Sequence, residues 1–166
     1  MAISIDLKVR QVAGDKGSLD AYGDAIKQPR PALEEIGKIL RQNLTERFQS
    51  NTDPWGKAWA PPSPVTIALR GGEIDADNDL VQRIVTRIEG TKVFIGLRSA
   101  VARVRQYGAP RNRMFGGPRA PIPPRPMLPV RESRRVDLPR DLLARIMAVV
   151  RDSLRKAARE SASSTE

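Results

Sequence analysis

The chain has 166 residues and a formal net charge of +10, with 40% hydrophobic but only 4% aromatic residues, so a single domain with an aliphatic core is expected. It contains no cysteine and no histidine, which excludes disulfides, thiol nucleophiles and thiolate zinc sites and removes the commonest general base. Catalysis is left to carboxylates, Lys, Ser, Thr and Tyr, and no apolar run approaches the roughly 20 residues that a membrane span needs.

Ile3, Ile5, Leu7 and Val9 alternate with Ser4, Asp6, Lys8 and Arg10. This is the period of a half-buried strand beginning almost at residue 1, not the apolar block of a signal peptide, so a cytoplasmically made, soluble protein is expected. Gly14-Asp15-Lys16-Gly17 is turn chemistry, and Ser18 is placed to cap a short helix carrying Leu19, Tyr22 and Ile26, closed by Pro29. Leu33, Ile36, Leu40, Leu44 and Phe48 then recur at helical spacing, with Glu34, Glu35, Lys38, Arg41 and Glu46 on other faces. The pattern predicts a long helix over about 31–49, with Pro31 in its first turn.

That helix stops at Asn51-Thr52-Asp53-Pro54-Trp55-Gly56, with Trp59 and Pro61-Pro62 beyond. Proline and glycine forbid regular structure here, so the loop is expected to fold back and pack at least one tryptophan near Leu44 and Phe48. Residues 65–70 suggest one further turn, and Gly71-Gly72 with the acidic run Glu73 to Asp79 a polar loop. Residues 81–88 are rich in β-branched types, and Glu89-Gly90 turns them into a second strand, Lys92 to Gly96. Ser99 is placed to cap a short helix from Ala100 to Tyr107, stopped by Gly108.

From Arg103 to Arg135 there are nine arginines and one acid, Glu132, which is +8 of the chain's +10. Seven of the fourteen prolines fall in the same stretch, so most of it must be loop or extended chain. A long positive loop in a small patterned chain is usually a contact surface. Met127 to Val130 are expected to rejoin the sheet. Asp137 and Asp141 bracket the start of a last helix, about 138–158, with Leu142, Leu143, Ile146, Val149, Val150 and Leu154 inward. The expected organisation is one domain over 1–158 with a frayed tail at 159–166. The class is α+β: a small antiparallel sheet, two long helices and an Arg/Pro/Gly-rich loop.

No constellation of catalytic residues stands out. Asp75, Asp77 and Asp79 resemble the first half of a calcium loop, but the sixth and twelfth positions hold Leu80 and Thr86 instead of Gly and a bidentate acid. Glu34 and Glu35 are adjacent on a helix and point apart, and Gly71-Gly72 has neither the following Lys nor the preceding strand of a phosphate loop. The arginines fit contact with DNA phosphates or with an acidic protein surface, against the plainer alternative of a solvated basic loop. Too few aromatics interleave them for a base-stacking platform. No metal or cofactor is expected.

The order Arg47-Phe48, Asp53-Pro54-Trp55-Gly56, Trp59, Pro61 and Thr66 resembles the front half of the phage virion morphogenesis (tail completion) proteins of Mu-like and P2-like phages. Val93-Phe-Ile-Gly96, then Gln106-Tyr107-Gly108, then Ile122-Pro123-Pro124-Arg125-Pro126-Met127-Leu128 match the back half, so the resemblance spans about residues 33–150. Arg105 stands where that family usually has His, and Val101 where it has Tyr. Its Leu-x-x-Ser/Thr-Gly-x-Leu segment is replaced by Asn78 to Arg83.

The resemblance implies a structural, non-enzymatic protein of the head–tail junction, assembled in the bacterial cytoplasm and carried in the virion. It implies a cyclic homo-oligomer, sixfold or a multiple, that meets neck, connector or tail-terminator proteins around the DNA path. On that view Arg103, Arg105, Arg111, Arg113, Arg119 and Arg125 form the interface or DNA-proximal set. The structural motif residues are Phe48, Asp53, Pro54, Trp55, Gly56, Trp59, Gly96, Gln106, Tyr107, Gly108, Pro123 and Pro126. Two other classes stay open: a basic accessory protein binding the nucleic-acid backbone non-specifically, and a metal-dependent hydrolase or nuclease built on Asp75, Asp77 and Asp79.

Overall fold

The computed structural model describes residues 2–6, 29–61, 76–109, 122–130 and 136–163, giving the backbone alone for 2–6, 76–78 and 161–162. The elements are β1 (Ala2–Asp6), α1 (Arg30–Ser50), α2 (Ala76–Gln82), β2 (Ile84–Glu89), β3 (Lys92–Leu97), α3 (Val101–Tyr107) and α4 (Arg140–Ser163). The expected short helix around 18–26, the turn at 65–70 and the loop at 110–121 lie outside the described residues.

The apolar stripe of α1 organises the fold. Leu33, Ile36, Leu40, Leu44 and Phe48 are all buried, and Pro31 occupies the first turn, where its missing N–H costs nothing. This face meets β2, β3, α2 and α4. Close approach to the sheet depends on Gly37, since a Cβ there would lie 2.9 Å from Thr86 Cγ2. The exposed side of the helix carries Arg30–Glu34 and Lys38–Glu35 pairs, so Glu34 and Glu35 are engaged separately. Asn51 ends the helix in the left-handed conformation, φ 52°, which asparagine tolerates better than most residues.

The sheet is antiparallel, with strand order β1-β3-β2. β2 and β3 form a hairpin around Gly90 and Thr91, with Glu89 opposite Lys92. Only Gly90 of the two has a positive φ, 55°, as a type II′ turn requires of its first loop residue. Inward Ile84, Val93, Ile95 and Leu97 are buried against α1 and complete the aliphatic core with Leu80, Met127, Leu128, Leu142 and Ile146.

Four expectations are corrected. The acidic stretch is not all loop, because residues 76–82 form α2: Leu80 is buried in the core and Asp79 accepts from Arg83 Nε one turn on, at 3.0 Å. Met127 to Val130 do not rejoin the sheet, as the Met127 and Leu128 amides go to the Gln106 side chain instead. Pro126 and Pro129 lack N–H groups, and Val130 bridges Val136 instead. Leu143 is not inward but 44% exposed, since Leu142 and Ile146 take the core face of α4. The last helix does not fray at 159 but continues to Ser163, whose hydroxyl donates to the Glu160 carbonyl at 2.9 Å.

Candidate functional site

The motifs that are far apart in sequence converge on one extended segment, Ile122 to Val130. The 3.6-residue period places Ala102, Arg105 and Gln106 on the inward face of α3, and all three are buried. Ser99 Oγ accepts the Val101 amide at 3.2 Å, one position before the formal N-cap, Ala100.

Gln106, only 2% exposed, replaces a neighbouring strand with one side chain. Its Oε1 accepts the amides of Met127 (2.8 Å) and Leu128 (3.0 Å), and its Nε2 donates to the carbonyls of Leu128 (3.0 Å) and Val130 (3.4 Å). A primary amide is the one neutral side-chain group able to accept and donate in this way, and burial makes each missing partner costly. The Arg105 carbonyl adds a bond from the Arg125 amide at 2.6 Å.

Gly108 then turns the chain with φ 70°, and a Cβ at this position would lie 2.6 Å from the Ile122 carbonyl oxygen. Both the conformation and the clearance require glycine. The next residue, Ala109, exchanges two backbone hydrogen bonds with Ile122, 3.0 and 2.8 Å long. This reciprocal pair ties together the two ends of the basic stretch 110–121.

The tryptophan loop holds the segment from the other side. Asp53 Oδ1 accepts the amides of Trp55 (2.9 Å) and Lys57 (2.8 Å), while the Asp53 amide donates to the Lys57 carbonyl (2.7 Å). Gly56, at φ 89°, completes this tight turn over a fully buried Pro54. The turn delivers Trp59 edge-on to Phe48, with ring centroids 5.8 Å apart, and points its indole N–H at the Pro126 carbonyl, 2.9 Å away. Trp55 faces outward, 39% exposed.

The expected set of contact arginines divides. Arg103 is exposed on α3 and Arg125 half-buried, while Arg111, Arg113 and Arg119 lie outside the described residues. Arg105 differs from the others: it is only 8% exposed and lies on the inward face of α3 with Ala102 and Gln106. Its charge gave no sign of this in the sequence, but its place one residue before Gln106 and three after Ala102 did. Among the motif residues, Gly96 lies in the central strand opposite Ala2 and Val85, Tyr107 is partly exposed, and Pro123 is on the surface.

Of the three aspartates considered for metal chemistry, Asp79 has both oxygens engaged by Arg83, and the side chains of Asp75 and Asp77 lie outside those described. Among the described residues no cluster of three acidic groups is placed to hold a metal, and no helix is long and apolar enough to cross a membrane.

The phage virion morphogenesis family model matches residues 15–148, a span that contains every part of this arrangement. The chain belongs to that family. No curated protein and no solved structure matches it.

Proposed function

We propose that this virion morphogenesis protein is a structural component of the head–tail junction. Copies of it form a ring around the DNA path and join the head or connector to the tail. The observation that carries this reading is the tie between Ala109 and Ile122, braced by Gln106, Gly108 and Trp59. A buried framework that fixes both ends of a stretch containing Arg111, Arg113 and Arg119 suits display of that stretch toward an acidic neighbour or toward phosphates in the channel. Ring closure by a heterologous interface would place one such stretch per subunit around the axis, sixfold or a multiple by analogy with the family.

Electron cryomicroscopy of the assembled particle tests the proposal. The expected image shows several copies of the chain arranged cyclically at the head–tail junction. A single copy away from the axis, or a chain absent from the finished particle, overturns it. Non-specific binding to free double-stranded DNA by a monomer, with a steep salt dependence and no incorporation into particles, would favour an accessory nucleic-acid-binding protein instead.

A further inference from the structure

The helix α4 carries two apolar stripes, of which the described residues cover one and leave the N-terminal half of the other exposed. Leu142 and Ile146 are buried in the core, with Val149 and Val150 packed against it, and Ala157 is buried further along the same face. Beside them, Leu143, Met147, Val150 and Leu154 follow at intervals of four, three and four, so they share a second face about 16 Å long. Leu143 and Met147 are 44% and 46% exposed, Val150 is half-buried where it leans on the core, and Leu154 is half-buried. An apolar ridge of this spacing is what a helix presents to a second helix.

The edge of this ridge away from the core is basic. Arg140, Arg151 and Arg155 fall there by helical geometry, and all three are exposed. Arg155 has Asp152 at 3.8 Å on its own helix, while Arg140 and Arg151 have no ion-pair partner among the described residues. A second copy laid antiparallel on the same ridge would bring the two arginine edges together, and like charges at close range repel. DNA would neutralise the arginines but offers nothing to bury Leu143 and Met147.

We infer that the outer face of α4 is a docking surface for a different protein chain, one that presents an amphipathic helix whose apolar ridge is bordered by carboxylates. Apolar contact supplies the affinity and the arginine edge selects the acidic partner and sets its orientation. This surface is distinct from the clamped basic stretch and does not depend on the ring.

The test titrates the full chain against two synthetic helical peptides of equal length. Both carry the same leucine ridge, bordered in one by Glu and in the other by Lys. The Glu-bordered peptide should bind at least tenfold tighter at low salt. Leu143→Lys with Met147→Lys should weaken that binding at least tenfold without lowering the melting temperature, since both residues are exposed. Arg140→Glu with Arg151→Glu leaves the ridge intact and should invert the preference between the peptides. Equal binding of both peptides, binding of neither, or self-association of the chain that Met147→Lys abolishes would each overturn the inference.

Discussion

The indole N–H of Trp59 donates to the carbonyl oxygen of Pro126 at 2.9 Å, joining two sequence motifs 67 residues apart. The ring also packs edge-on against Phe48 at the end of α1, so one side chain couples the long helix, the tight loop and the extended segment. Trp59→Ala is expected to cost about 3 kcal/mol, the low end for truncating a core aromatic because the ring is only partly buried. Trp59→Phe keeps the ring contact but leaves the Pro126 oxygen without its donor, at about 1 kcal/mol. Denaturant unfolding of the wild type and both variants checks the order; a Trp59→Phe variant as stable as the wild type would show that the indole bond contributes nothing.

Gln106 is the harder residue to replace. Gln106→Leu preserves volume but strips the Met127 and Leu128 amides of their acceptor inside the core, with an expected loss of about 3 kcal/mol or more. Hydrogen exchange locates the effect: the Met127 and Leu128 amides should exchange much faster than in the wild type, while those of β3 change only with global stability.

A gain is expected at Thr86. Its hydroxyl oxygen is buried without a hydrogen-bond partner, on a strand facing Gly37. Thr86→Val exchanges that hydroxyl for a methyl group of similar size and should stabilise the fold by about 1 kcal/mol, read as a raised unfolding midpoint. Gly37→Ala, by contrast, drives a methyl group toward Thr86 Cγ2 and should destabilise the protein, because α1 must then move off the sheet.

The arginines should separate by salt. Arg125 has its backbone fixed by the bond to the Arg105 carbonyl and by prolines on both sides, so a directed contact from its side chain is proposed. Arg125→Ala should impair particle assembly at every ionic strength. Neutralising Arg111, Arg113 and Arg119 together should weaken a salt-sensitive interaction and leave the fold intact. Normal assembly of the first variant together with unfolding of the second would reverse the assignment.

The parts of this fold that rest on periodicity were legible in the sequence. The α1 stripe and the Ser99-to-Gly108 helix each repeat a local rule over several residues and formed as expected, and the β2–β3 hairpin formed with its first strand starting at Ile84 instead of 81, because Val81 and Gln82 close α2. At least one tryptophan was expected near Leu44 and Phe48 because proline and glycine left the loop no helix to belong to, and Trp59 is the one that packs there. What stayed hidden depends on long-range partners. The helix α2 needed Leu80 to reach the core before Asp79 and Arg83 could be seen as one turn. The four bonds of Gln106 had no local signature, since its partners lie more than twenty residues away. Leu143 was misplaced for a related reason: two apolar stripes on one helix look like a single wide one until a neighbour covers only half.

The bridge between Ala109 and Ile122 consists of two main-chain bonds and borrows no side chain from the twelve residues it encloses. Neither bond requires a particular side chain at 110–121, so exchange of that stretch is expected to leave the bridge itself in place. Loop-closure cost rises only by about 0.6 kcal/mol for each doubling of length. This makes 110–121 a natural cassette, in which lineages could vary charge and reach to suit a changing neighbour while Gln106, Gly108 and Trp59 stay fixed. It is also the place to insert an epitope or a fluorophore-bearing residue when the position of this chain in a particle has to be seen.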